Sequence, residues 1–125
     1  MTAKLTLVYN PQGSHNLLGD GQIENFGAQL AEIIRTGYGV KIVDISQEEV
    51  LDEIRLRVAR DEFEYPVDVY YYPDPTKDNR WVGAINEYGA LHDVPWPDAD
   101  RVSNILKTAI AKRRRKQQEE FKNGN

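Results

Sequence analysis

Three short apolar runs, at 4–9, 40–45 and 67–72, are separated by two segments each long enough for a helix, and this spacing constrains the fold more than anything else in the chain. In the first run Leu5, Leu7 and Tyr9 alternate with Lys4 and Thr6, and Val8 extends the apolar character to the second face. Val40 to Ile45 is nearly continuous in the same way, the pattern of a strand buried on both sides. In the third run Val67, Val69 and Tyr71 alternate with Asp68, Tyr70 and Tyr72. Strands joined by helix-length connections imply right-handed parallel crossovers.

The intervening segments carry the helical period. Ile23, Phe26, Leu30, Ile33 and Ile34 share one face, and Gly37 and Gly39 supply a stop. Ser46 and Glu49 form an S-x-x-E capping box for a second helix with the stripe Val50, Leu51, Ile54 and Val58. After the third run, Pro73 to Asn79 is a turn-rich connection too short for a crossover, so 80–86 is predicted to return antiparallel. Glu87-Tyr88-Gly89 reads as a tight turn before a short fifth strand at 90–94. The order β-α-β-α-β-β-(β)-α predicts a single α/β domain over 1–125 with a mixed, mostly parallel sheet and a long basic C-terminal helix. The first 46 residues resemble the opening βαβ unit of flavodoxin-like folds, a pattern that very many α/β proteins share and that implies no particular function.

That last helix is predicted from Asp98 to Lys122. Pro95 and Pro97 precede it, Asp98 and Asp100 suit its N-terminus, and Val102, Ile105, Leu106, Ala109 and Ile110 form an apolar stripe. Core packing is expected to end at Ile110, leaving 111–125 as an exposed basic end. Lys112-Arg113-Arg114-Arg115-Lys116 follows at once, and five consecutive helical residues cover more than a full turn. The net charge of −4 conceals this: residues 1–100 hold 8 Lys/Arg against 18 Asp/Glu, and 101–125 hold 8 against 2. An acidic body with a local basic site follows.

Other chemistry is poorly supported. The glycine-rich loop 10–21 lies between a strand and a helix N-terminus, where phosphates bind in α/β proteins. Gly13 and Gly19 are one residue too far apart for a Walker A loop, Asp20 stands where lysine is needed, and Glu24 takes the third glycine position of G-x-G-x-x-G. The loop also lacks the Thr/Ser-rich phosphate loop of flavodoxins. His15 and His92 are the only histidines, nothing places them together, and cysteine is absent, so no metal or catalytic constellation is expected. Asp44, Asp68, Asp74 and Asp78 lie near strand ends, but the D/E-x-K element of magnesium-dependent nucleases does not follow.

Tyr70, Tyr71, Tyr72, Trp81, Tyr88 and Trp96 gather half of the chain's aromatic residues within 27 positions. Tyr70, Tyr72 and Trp81 on a hairpin suit a stacking platform. The chain thus reads as a binding protein rather than an enzyme, without cofactor or metal. Its ligand-binding residues would be Lys112, Arg113, Arg114, Arg115 and Lys116, with Tyr70, Tyr72 and Trp81, and its ligand a nucleotide or single-stranded nucleic acid. The alternative is an acidic inhibitor or adaptor that docks on a basic protein and uses the basic helix for self-association into a homo-oligomer. Neither a signal-peptide core at the start nor an apolar run of about 20 residues is present, which predicts a cytoplasmic protein with no membrane partner.

Overall fold

The computed structural model describes residues 3–14, 17–19, 21–74, 76, 80–92 and 103–123, the side chains of 92, 103–106 and 121–123 excepted. Among these lie β1 (Lys4–Tyr9), α1 (Ile23–Thr36), β2 (Val40–Ile45), α2 (Glu48–Ala59), β3 (Val67–Tyr71), β4 (Trp81–Ile85), β5 (Leu91–His92) and α3 (Ser103–Asn123). The strands form one sheet in the order β2-β1-β3-β4-β5. β1 is parallel to β2 and β3, and β4 is antiparallel to β3 and β5. The mixed sheet and its pairing are those predicted. The expected caps at Asp98 and Asp100, the stripe side chains of Val102, Ile105 and Leu106, and the end of the fifth strand at 93–94 lie outside the described residues.

The register sorts the side chains onto two faces. Leu5, Leu7 and Tyr9 align with Lys41, Val43 and Ile45 on one side and, through Leu7 and Tyr9, with Val69 and Tyr71 on the other. Val67 and Val69 continue the row to Ile85 and Gly83. The buried apolar residues of the strands lie on this face, in one core with Leu30 and Ile34 of α1 and Val50, Leu51, Ile54 and Val58 of α2. α1 and α2 therefore lie over the same face, and they touch: a Cβ on Gly27 of α1 would come within 2.5 Å of Arg57 Nε. Arg57 is buried, held by Glu53 at 2.9 Å, Glu62 at 2.7 Å and the Glu24 carbonyl at 3.1 Å.

This arrangement corrects two sequence readings. α1 carries the chain outward from β1 to β2, and α2 carries it back past β1 to β3. Two such crossovers on one face have opposite hands, so they are not both right-handed. The apolar strands are also not covered on both sides: Val40 and Ile42 on β2 and Val82 on β4 are 61 %, 63 % and 52 % exposed. Two smaller differences concern helix ends and faces. Ile33 lies on the exposed side of α1, and α2 begins at Glu48 with Gln47, not Ser46, in the cap position.

Candidate functional site: the basic helix and the aromatic hairpin

α3 packs on α2, and its contact face continues past the apolar stripe. Ala109 and Lys112 are one helical turn apart and both are buried, Lys112 to 4 % exposure, whereas Ile110 is 49 % exposed. The expected end of packing at Ile110 is therefore wrong in detail: the face runs through 109, 112 and 116. A lysine can occupy such a position because its four-carbon stem packs as an apolar chain while the ammonium reaches a partner at the rim.

Two pieces of the acidic body supply that partner. α2 ends in a Schellman-type cap, with Asp61 N–H donating to the Val58 carbonyl at 3.0 Å and Glu62 N–H to the Arg57 carbonyl at 2.9 Å. This cap puts Asp61 in the left-handed region, at φ 64°. The second piece is the β4–β5 turn. Asn86 Oδ1 accepts from the N–H groups of Tyr88 and Ala90. Gly89 takes the turn's positive φ of 79°, and Arg55 Nε of α2 donates to its carbonyl at 2.8 Å.

Lys112 Nζ donates to Asp61 Oδ1 at 2.7 Å and to the Glu87 carbonyl at 2.6 Å. It lies 5.2 Å from the Tyr65 ring centre and 5.7 Å from that of Tyr88. One turn on, Lys116 pairs with the Glu87 carboxylate, which holds Glu87 below the usual carboxylate range and raises the lysine. Arg113 stacks over Tyr88 at 4.5 Å. The side chains of Arg113, Arg114 and Arg115 face solvent, as does that of Lys107. Two of the five basic residues thus attach the helix by ion pairs, Arg113 rests exposed against Tyr88, and Arg114 and Arg115 face outward. The sequence does not reveal this division, because Asp61 lies 51 positions from its lysine.

The predicted aromatic partners do not join this helix. Tyr70 is in register with Val82 and Tyr71 with Trp81, so Tyr70 and Trp81 point to opposite faces of the hairpin. Tyr70 and Tyr72 share the uncovered face with Arg80. Its guanidinium lies 5.4 Å from the Tyr70 ring centre and hydrogen-bonds Tyr72, which favours its charged form. Trp81 lies 48 % exposed on the helix side, beside Tyr71. Tyr71 in turn packs on Tyr9 at 5.6 Å, and burial, with Glu48 next, pushes the Tyr9 phenol up. Trp81 and the turn that holds Lys112 lie at opposite ends of β4, about 14 Å apart along the strand.

In the loop after β1, side chains take up the amides of Leu18 and Gly19. Gln47 accepts from Leu18 N–H at 2.6 Å and donates to the Leu18 carbonyl at 2.9 Å, and Gly19 N–H donates to Gln22 Oε1 at 2.9 Å. Gln12 Nε2 ties the loop to the Pro73 carbonyl at 3.0 Å. Those amides are not aimed at a phosphate. Asp74 closes a local turn on Thr76, which lowers its pKa, and Asp68 pairs with Lys4 at 3.0 Å. His15, Asp20, Lys77, Asp78 and Trp96 lie outside the described residues. Among the described residues no group of three His, Cys, Asp or Glu side chains could hold a metal, and no helix is long and apolar enough to cross a membrane. No protein-family model matches the chain, and neither a curated protein nor a solved structure matches it at a significant level.

Proposed function

We propose that this chain is a non-enzymatic binding protein that engages an anionic ligand, a nucleotide or a single-stranded nucleic acid, through the outer side of α3. Arg113, Arg114 and Arg115 are the contact groups. The observation that supports this reading is the division of the basic run: Lys112 and Lys116 fix the helix to the body, while Arg113, Arg114 and Arg115 stay exposed, Arg113 with its guanidinium over the Tyr88 ring. Arginine forks suit phosphate oxygens, and a helix held at two points presents them at a lower entropic cost than a free tail. Tyr70, Tyr72 and Trp81 belong to other surfaces and are left out of this site.

Fluorescence anisotropy with a labelled single-stranded oligonucleotide tests the proposal, with a labelled nucleotide in parallel. Three phosphate contacts on a single strand give a slope of about −2 in log affinity against log salt. Changing Arg113, Arg114 and Arg115 together to glutamate removes binding and leaves the fold, because none of the three is buried. Wild-type protein that ignores both ligands at low salt overturns the reading.

One observation favours the adaptor alternative. Asp61 and Glu87 already hold a basic helix within this chain, the chemistry by which an acidic body would dock on a basic protein. Replacing Lys112 and Lys116 with methionine separates the two readings. Exposing Asp61 and Glu87 strengthens capture of a basic protein under the adaptor reading. Under the first reading oligonucleotide affinity falls, because the helix is no longer held at two points, but it is not lost, because the three arginines remain.

A further inference from the structure

We propose that the uncovered face of the sheet is the surface on which two copies of this chain dock. The register puts Val40, Ile42 and Asp44 of β2 on that face with Lys4, Thr6 and Val8 of β1, Asp68 and Tyr70 of β3, and Val82 and Ala84 of β4. It carries the three aliphatic side chains of the described strands that are more than half exposed, Val40, Ile42 and Val82. Both helices of the crossovers lie on the other side. Exposed apolar side chains gathered on one open face mark an interface.

The charges select the partner. The charged residues that the described strands and the adjoining Arg80 put on this face are Lys4 and Arg80 against Asp44 and Asp68, a balance of zero on a chain whose net charge is −4. A neutral face does not attract a polyanion, and it does not repel its own copy. The four charges are also arranged to match themselves. A two-fold axis parallel to the strands, above the boundary between β1 and β3, lays β1 over the second copy's β3 and β2 over its β4. Lys4, which pairs with Asp68 of its own chain at 3.0 Å, then also faces the strand that carries the second copy's Asp68, and Asp44 faces the strand that follows Arg80. Asp44 is level with Val82, two residues from Arg80, and Lys4 is two residues from the level of Asp68. Both offsets, about 7 Å along a strand, are within the reach of these side chains.

The area is adequate. Strands about 20 Å long and about 4.8 Å apart make a face of roughly 400 Å² in projection. With side-chain relief, two such faces reach about 1,200 Å², where specific interfaces begin. Sheets stacked about 10 Å apart would form a four-layer molecule with the helices outside. This interface uses no residue of α3, so it stands or falls separately from the proposed anion site.

Sedimentation equilibrium and light scattering on the full chain test the proposal. The expected mass is twice 14.3 kDa, falling to that of one chain in Ile42→Glu, with circular dichroism confirming that the variant is folded. Val82→Arg, at the other side of the face, gives the same result by an independent route. Asp68→Lys weakens the dimer, and adding Lys4→Asp restores it. The Arg113, Arg114 and Arg115 to glutamate variant stays dimeric. Wild-type protein that is monomeric over its whole soluble concentration range overturns the proposal, as does a dimer that survives both Ile42→Glu and Val82→Arg. A monomer whose Tyr70 is protected by an oligonucleotide overturns it too and assigns the face to nucleic acid.

Discussion

Lys112 is the residue whose role differs most from its sequence context, and its substitution should show it. Lys112→Ala strands no buried acid, because Asp61 remains more than half exposed, but it removes two charge-assisted hydrogen bonds and a packed stem. The expected loss is about 1–3 kcal/mol in urea denaturation, against within about 0.5 kcal/mol for the exposed neighbour in Arg114→Ala. Equal effects would show that Lys112 is as solvated as the rest of the run. Asp61 gives a two-sided test. Asp61→Gly relieves a left-handed backbone worth about 1 kcal/mol but removes the partner of Lys112. Hydrogen exchange should therefore slow at the end of α2 and quicken in α3. At the α1–α2 contact, Gly27→Ala should cost about 1–3 kcal/mol through overpacking against Arg57 and Glu53, despite gaining about 1 kcal/mol of helix propensity. Gly21→Ala, with nothing near its added carbon, is the control. Of the buried residues on the described face of α3, Ala109 and Lys112, the sequence made only Ala109 legible. Periodicity ranks residues by polarity, so it chose Ile110 over Lys112. It has no access to an acid that tertiary structure brings from another element.

The elements themselves were more legible than their surroundings. Among the described residues, β1, β2, β3 and the helices were visible in the apolar period and β4 and β5 in the turns that flank them, because backbone pairing and one buried face suffice to set such patterns. The covering of β2 was not. Val40-Lys41-Ile42-Val43-Asp44-Ile45 has the composition of a central strand, yet it is the sheet edge with one face open, and composition does not count neighbours. For α3 the consequence is a boundary. Truncation after Lys116 should leave the melting temperature unchanged. Truncation after Ala111, which removes both anchoring lysines, should lower it; an unchanged value would put the end of packing back at Ile110. The helix should also respond to pH. Pairing with Lys116 depresses Glu87, so its contribution is complete above the ordinary glutamate range and fades as pH falls through the lower folded value. The same pairing raises Lys116, whose contribution is complete below the ordinary lysine range and is lost as pH climbs through the higher one. Nuclear magnetic resonance of α3 amides should report tightest docking between those limits and loosening on both sides. Both groups are solvent-accessible, so the amplitude should be small.

Across the whole molecule, the charge asymmetry was readable and its internal use was not. The acidic body and the basic helix are separate in sequence and are joined in space by Asp61 and Glu87. The candidate site was legible as a list of basic residues. What could not be read was which of them the fold consumes, or that Trp81 and Tyr70 would fall on opposite faces. Native-state hydrogen exchange should rank the strands by position in the sheet, with β1 and β3 slowest and β2 and β5 fastest. The order β2-β1-β3 also has a consequence for synthesis. β1, the strand between β2 and β3, leaves the ribosome before either of its neighbours, and its second neighbour follows some sixty residues later. Over that interval Leu5, Leu7 and Tyr9 have at most one flanking strand, and the growing chain carries an unfinished edge of the kind that recruits chaperones. Stalled nascent chains released from the tunnel only to residue 62 should be cut readily by protease. Those released to residue 92, with β3, β4 and β5 available, should begin to resist.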